Sequence, residues 1–575
     1  MEAGRLEAWD AEYDLVVLGG GAGGMTAALV AANEGLRTLL VEKSAQIGGT
    51  TARSSGTVWI PDNPQQHRLG ISNDAAAATT YLDALVAGRA DRKLRQAFVA
   101  AGPKMLRYFE THTGVRFQIY RQHPDYRQDL PGAAAGGRPL EPLPFDGRTL
   151  GKDFARVRWP IPEFMLLGGM MVTRGEAVGL QDLAKSWDSL WLALKLVTRY
   201  FLDRLRHPRG TRLVLGNALA ASLYKNLLER KVDIWFEGQT AHLIKLEGRV
   251  CGLAIERDGK QLKVRARRGI VLAGGGFPAS ESLRERHLPK PVAQYTAAFE
   301  GCRGDTLQLA QDVGAALGPP CQDNALWFPS SIARRKDGST AVYPHIVLDR
   351  PKPGLVAVNA AGKRFVNEAQ SYHEFTRAMY ASQQSVPTIP AWLVCDNRFL
   401  WKYGLGMIRP LSLRFMLRSH IANGYLQVAA SLTELAARIG VNSDGLIATI
   451  NACNGYAQSG VDLEFGKGGN LYDRNNGDAR HAPNPCLGPI ETPPFYAVAV
   501  VPTPLGTGLG LSADEWGRVL DSARKAIPGL YCCGNDMNSI LGGEYPGAGA
   551  QIGPAMTFGY LAALHAAADS SRPSP

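Results

Sequence analysis

Glycines at positions 19, 21 and 24 leave the main chain bare at the spacing a phosphate-binding turn requires. Gly19 permits a tight turn, Gly21 lets the backbone approach a pyrophosphate, and Gly24 allows a helix to pack closely on the preceding strand. Ala22 and Gly23 lie where that helix begins, so its free N–H groups and positive dipole end face the phosphates. The elements that must hold the turn are legible on either side. Residues 13–18 (YDLVVL) are an apolar, β-branched run that predicts a buried parallel strand, and the alanine-rich residues 25–33 predict a helix. A second apolar run at 38–41 ends in Glu42, whose carboxylate is placed to accept hydrogen bonds from ribose hydroxyls. Strand, turn, helix, strand and acid together make a β-α-β dinucleotide site.

Lys43 opens a second glycine turn with hydroxyls, running through Gly49, Thr50 and Thr51 to Ser55 and Gly56. It resembles the segment that follows the pyrophosphate and flavin in glutathione-reductase-type flavoproteins, and that resemblance implies FAD rather than NAD. The run 269–277 (GIVLAGGGF), with Gly274 and Gly275, is similar to the strand that re-enters such a fold after the adenine contact, where Ala241 is also expected. Residues 529–535 (GLYCCGN) lead a third strand back to the flavin at Asn535. Gly549 and Ile552 complete the expected set. Pro554 marks a helix start just after Ile552, its N-terminus aimed at the flavin ring.

On these motifs, together with 364–368 (RFVNE) and 545–549 (YPGAG), the chain resembles the fumarate reductase/succinate dehydrogenase flavoproteins, and within them the 3-ketosteroid Δ1-dehydrogenases. The resemblance spans residues 13 to about 565 and implies 1,2-desaturation of a steroid A ring. Hydride leaves C1 for flavin N5 while a tyrosine takes a proton from C2. By motif, Tyr372 corresponds to that base, Tyr126 (in HPDY) to its assistant, and Tyr545 with Gly549 to the clamp on the C3 carbonyl oxygen. Donors fixed at that oxygen suit the chemistry, because proton removal α to a ketone builds negative charge there. A free tyrosine titrates near pH 10, so the base needs help and alkaline activity is expected. Residues 49–56 contain no histidine, so noncovalent FAD is expected. Arg377 reads as structural. The flanks of Tyr372 and Tyr545 vary among relatives, leaving open a related dehydrogenase or ene-reductase acting at steroid C4–C5 or on another cyclic ketone.

At 575 residues the chain is too long for one core. The expected class is α/β: a Rossmann-type, glutathione-reductase-like FAD domain over 1–283 and 495–575, with an inserted α+β catalytic domain over 284–494. Sixty-three basic against 52 acidic residues give a net charge of +11, compatible with nucleic acid, an anionic membrane surface, or neither. With no lysine run, zinc signature or aromatic RNA motif, nucleic acid is not expected. Eight scattered cysteines have no metal-type spacing, which predicts reduced thiols and no metal. The acidic start lacks a signal pattern, so a cytoplasmic location is expected, with disorder confined to residues 1–11 and 570–575. The insertion at about 176–210 contains an amphipathic helix, 186–206, with Leu190, Leu194, Val197 and Phe201 on one stripe and Lys195, Arg199 and Arg206 off it. Residues 399–421 repeat that mixture. Both suit either peripheral contact with the inner face of a membrane or burial as core or dimer-interface helices. The expected partners are a 3-ketosteroid or sterol-derived ketone and a quinone-like or dye electron acceptor.

Overall fold

Leu15, Val16 and Val17 have no exposed surface, and their strand, Ala11–Leu18, runs parallel to both of its neighbours, Thr38–Glu42 and Lys260–Leu272. A run apolar on both faces belongs in the middle of a parallel sheet, where helices cover each side. The computed structural model describes residues 9–180 and 187–568; the expected disordered ends fall almost wholly outside them, as do residues 181–186 of the apolar insertion. The first sheet has eight strands. Its parallel part continues through Asp233–Phe236 beyond Thr38–Glu42, and through Ala526–Cys532 beyond Lys260–Leu272. The other half of Lys260–Leu272 turns antiparallel with Arg249–Arg257, which pairs in turn with Gln239–Leu246.

The helix after the glycine turn, Ala22–Asn33, packs against the C-terminal helix Ile552–Ala568. Their approach is set by absent side chains. A Cβ on Gly559 would lie 2.5 Å from the Gly23 carbonyl oxygen, and one on Gly23 would lie 3.0 Å from the Ala555 carbonyl. A Cβ on Gly24 would lie 2.0 Å from the Gly19 oxygen, which is the close helix-to-strand packing expected of that glycine.

The second sheet has six antiparallel strands: Thr340–Pro344, Ala325–Arg334, Phe495–Thr507, Ala391–Cys395 and Leu355–Val358 in order, with Gln427–Ala429 also on Phe495–Thr507. Phe495–Thr507 sits centrally in this sheet although it follows the boundary expected at 494. Its length explains the difference: one half pairs with Ala391–Cys395 and the other reaches Ala325–Arg334. The chain pairs with the first sheet again only at Arg518–Leu520.

Helix Tyr372–Gln383 packs on Ala325–Arg334 and presents its first residue, Tyr372, toward the first domain. Ser371 caps it, its hydroxyl accepting the Glu374 N–H at 3.2 Å. The preceding RFVNE segment is a buried clamp. Arg364 pairs with Glu368 and Asp462 at 2.8 Å each, Asn367 donates to Asp473, and the Ala357 N–H donates to Glu368. Burial opposes the Glu368 charge, but Arg364 and Lys467 more than offset it and hold the carboxyl below its ordinary range.

The two apolar, basic segments fold as helices that are partly packed and partly exposed. In Trp187–Arg204, Leu196 and Tyr200 are buried, whereas Leu190, Leu194 and Phe201 of the expected stripe are exposed. Residues 399–421 divide into Asn397–Tyr403 and Arg414–Ala422, with Phe415 and Met416 exposed. Val197 is half-buried beside Leu196 and Tyr200, and Phe399, Leu400 and Leu417 join a core cluster, so burial accounts for part of each segment and leaves Leu190, Leu194, Phe201, Phe415 and Met416 exposed. Among the described residues no helix is long and apolar enough to cross a membrane.

Candidate active site

One elongated cavity runs from the first glycine turn to the three predicted tyrosines. Its polar half is lined by Gly19, Gly21, Ala22, Gly23, Gly24, Glu42, Lys43, Gly49, Thr50, Thr51, Ser55, Gly274, Gly275, Asn535, Gly549 and Ile552, all expected from sequence. Gly19 is at φ 114°, and a Cβ there would lie 2.2 Å from the Ala273 carbonyl oxygen. Gly21 differs. A Cβ on it would meet only the Thr51 hydroxyl, at 3.9 Å, so its open side is the cavity itself. This is bare backbone of the kind that a pyrophosphate approaches, and the lining fits FAD. Thr51 holds the turn by accepting the Ala22 N–H at 3.1 Å. Glu42 spends its carboxylate on the protein as well as the cavity, accepting the Gly20 N–H at 3.0 Å and the Ser44 hydroxyl at 2.7 Å.

Two expected cofactor residues stand elsewhere. Gly56 is buried against helix Leu215–Glu229, where a Cβ would lie 2.7 Å from Gly216, so it serves packing. Ala241 lies on the exposed part of Gln239–Leu246, and Gly238, Gln239 and Thr240 line the cavity instead. The sequence reading also missed Asp536 and the stretch 297–306. Asp536 is fully buried and accepts the N–H groups of Gly274 and Gly276 at 2.6 and 2.8 Å, fixing the third glycine turn. Phe299 is tied to Thr50, whose hydroxyl accepts its N–H at 3.0 Å, and Arg158 stacks over its ring at 3.6 Å. Lys43 pairs with Asp305. Asp536 was findable as the acid next to Asn535; no motif marks 297–306.

The other half of the cavity is apolar, lined by Ile161, Phe164, Met171, Phe328, Ile346, Leu348 and Leu505, with Tyr126, Tyr372 and Tyr545 where the halves meet. The Tyr126 hydroxyl donates to that of Tyr372 at 3.0 Å. Tyr545 stacks on Tyr126 at 5.6 Å and 10°, and meets Tyr372 edge-on at 5.4 Å. Gly549, at φ 96°, fits because a Cβ would lie 2.5 Å from the Thr57 oxygen. The loop-like flanks of Tyr126 are rigid. Buried Asp125 accepts from Trp59 Nε1 at 2.8 Å and pairs with Arg138, and the Tyr126 N–H donates to the Pro546 carbonyl at 2.9 Å. Arg377 bonds Asp323 and Glu544, in keeping with a structural role. His373, Glu374 and Glu544 approach closely enough to share a cation, but Arg377 already supplies positive charge to both carboxylates.

Burial pushes the hydroxyls of Tyr372 and Tyr126 well above the ordinary tyrosine value, and each is pushed further by the neighbouring tyrosines. Their mutual hydrogen bond eases ionisation of Tyr126 and opposes that of Tyr372. Burial also raises Tyr545, which keeps it a donor. Two hydrogen-bonded tyrosine hydroxyls beside a third can, once one of them is ionised, remove a proton α to a carbonyl.

The FAD binding domain family matches residues 14–552. A 3-oxosteroid 1-dehydrogenase of Mycobacterium tuberculosis is 36% identical over 570 residues, covering 97% of this chain and 98% of that protein. A 4-oxocyclohexanecarboxylate 2-dehydrogenase of Sinomonas cyclohexanicum is 36% identical over 96% of this chain and 92% of its own. The crystal structure of a 3-ketosteroid Δ1-dehydrogenase of Sterolibacterium denitrificans, in complex with 1,4-androstadiene-3,17-dione, superposes with a TM-score of 0.90 at 40% identity, covering 97% of this chain and 99% of that one.

The raised tyrosines fix the pH behaviour of any proton abstraction they perform. Because the base must be ionised, turnover at saturating ketone should rise from neutrality through about pH 9. Initial rates of the FAD-loaded protein across that range check this, and a maximum near neutrality would contradict it.

Proposed function

The chain belongs to the FAD-dependent 3-oxosteroid 1-dehydrogenases, and from that premise we propose that it introduces a C1–C2 double bond into a 3-ketosteroid A ring, the Tyr126–Tyr372 pair taking the C2 proton. The observation that carries this reading is the 3.0 Å hydrogen bond between those hydroxyls, at the junction of an apolar compartment with a dinucleotide channel. FAD, when bound, supplies the acceptor for the C1 hydride at N5. The Tyr545 hydroxyl and the Gly549 N–H hold the ketone oxygen and stabilise the charge that develops there. The pair enters as a monoanion. The C2 proton goes to the Tyr372 oxygen, the proton shared between the hydroxyls goes to Tyr126, and the now neutral pair sheds one proton before the next cycle.

A second reading, oxidation of a smaller cyclic ketone bearing a carboxylate, rests on the Sinomonas relative. Androst-4-ene-3,17-dione with a dye acceptor separates the two: formation of the 1,4-diene supports the first, and turnover confined to 4-oxocyclohexanecarboxylate supports the second. Tyr372→Phe should lower steroid turnover by roughly 10²- to 10⁴-fold while flavin absorbance is retained. An unchanged rate would remove Tyr372 as the base.

The reading extends to where the substrate comes from. Trp187, Trp191, Leu194 and Phe201 are 86%, 69%, 54% and 58% exposed, next to Lys195 and Arg199. Their helix is tied to the segment next to the cavity wall, the Tyr200 hydroxyl donating to the carbonyl of Leu167, three residues beyond cavity-lining Phe164. Arg409, from the loop before Arg414–Ala422, donates to the Met165 carbonyl, next to Phe164. An apolar rim bordered by cations suits peripheral seating on an anionic bilayer that holds the steroid, with a quinone-like acceptor. The protein should float with anionic vesicles, and a Leu194→Glu, Phe201→Glu variant should not. Equal flotation of the folded variant would contradict the seating.

A further inference from the structure

The stretch 297–306 takes no part in the desaturation chemistry, yet every residue in it except Glu300 lines the cavity. Residues 297–304 form no helix or strand, and helix Asp305–Asp312 follows directly. The stretch touches both walls of the nucleotide channel. On the side of the third glycine turn it is held by backbone: the Gly304 N–H donates to the Gly276 carbonyl, and the Ala279 N–H to the Cys302 carbonyl, at 2.9 Å each. Packing there is close, since a Cβ on Gly275 would lie 2.9 Å from Cys302 Sγ and one on Gly274 would lie 2.4 Å from the Thr306 hydroxyl. Gly304 and Gly276 stand at φ 84° and 72°, a backbone region that only glycine enters freely.

On the side of the second glycine turn the attachments are side chains. Thr50 accepts the Phe299 N–H, and Arg158, itself bonded to Ser44 and Gln46, stacks over the Phe299 ring. Arg53 donates to the Ala298 carbonyl at 3.1 Å and pairs with Glu300 at 2.7 Å, while Lys43 pairs with Asp305. The two acids are open to water, their side chains 66% and 53% exposed. Exposed ion pairs of this kind contribute little each and are screened by salt. One edge of the stretch is thus fixed by main chain, and the other by contacts that can come undone one at a time. An exit toward the ketone compartment would have to pass Tyr126, Tyr372 and Tyr545, which are buried and packed on one another.

We propose that 297–306 is a strap across the FAD channel, hinged at Gly274–Gly276 and latched to Lys43, Thr50 and Arg53, and that the cofactor enters and leaves by unlatching it. Glu300 and Asp305 are the strap's half of the latch. The device serves FAD retention and holds whichever ketone is oxidised.

The test follows flavin fluorescence as FAD leaves the holoprotein on dilution, and as it enters the apoprotein, at low ionic strength. The parent is compared with a Glu300→Gln, Asp305→Asn variant. Release and uptake should both quicken, by roughly three- to tenfold, because a latch gates passage in either direction. The field of the lost charges predicts the opposite sign for release: removing two negative charges beside a channel that takes a pyrophosphate attracts FAD more strongly and slows its departure. Slower or unchanged release would overturn the proposal. So would faster release with unchanged uptake, which would mean that the acids act on the bound cofactor and not on the strap. Melting temperature reports whether the variant is folded; if it is not, Glu300→Gln alone takes its place. If the apoprotein does not hold its fold, the sign of the change in release decides. Turnover enters neither measurement, so a failure of the desaturation reading leaves this test intact.

Discussion

The hydrogen bond between Tyr126 and Tyr372 joins side chains 246 positions apart, and three separately folded pieces must be in place for it to form. Tyr126 is set by its backbone bond to Pro546 and by the Asp125–Arg138–Trp59 cluster next to it. Tyr372 is set by the Ser371 cap, by Arg350 gripping the Glu368 and Gln370 carbonyls, and by the Arg364 pairs. Tyr545 is carried by the loop whose Pro546 carbonyl also accepts the Tyr81 hydroxyl at 2.8 Å. Burying so many charges is costly unless each finds its partner, and breaking one such pair typically costs about 3–5 kcal/mol. Their placement behind the tyrosines is consistent with that cost being spent on rigidity where atoms must meet to within fractions of an ångström.

The cofactor channel obeys the opposite economy. Where the tyrosine end is fixed by added charges, the nucleotide end is fixed by missing side chains: Gly23, Gly24 and Gly559 let two helices and a strand approach closely, and Gly21 leaves backbone facing the channel. The two ends meet at Gly549, which belongs to both.

Features that depend on local spacing were legible in the sequence. Gly19, Gly21 and Gly24, the strands beside them, and the dinucleotide site they make follow from a β-α-β unit closed within about thirty residues, whereas FAD rather than NAD was legible only through the resemblance of the second glycine turn. Tyr372 and Tyr545 were legible only through motifs whose physical content the fold supplies: in RFVNE it is the Arg364–Glu368 clamp. Tyr126 sat in a stretch without periodicity because its order comes from tertiary partners, Arg138 and Pro546, that no local pattern reveals. Gly56 and Ala241 were misplaced because a glycine used for packing looks like one used for binding, and because a cavity touches a strand at only a few positions. The strand Phe495–Thr507 reads as apolar in any sheet, so its pairing partners were not legible. The wall at Ile161, Phe164, Met171 and Arg174 carries no motif and emerged only from the folded chain.

Proton abstraction by the tyrosine pair is the central claim, and it can be observed apart from electron transfer. The FAD-loaded protein, incubated with a 3-ketosteroid in deuterium oxide without an electron acceptor, should exchange the C2 proton stereospecifically, with the exchange rate rising toward alkaline pH. Tyr372→Phe should exchange at the solution background rate. Exchange by Tyr372→Phe at the parent rate would contradict the account, because the proton would then be leaving for some other base.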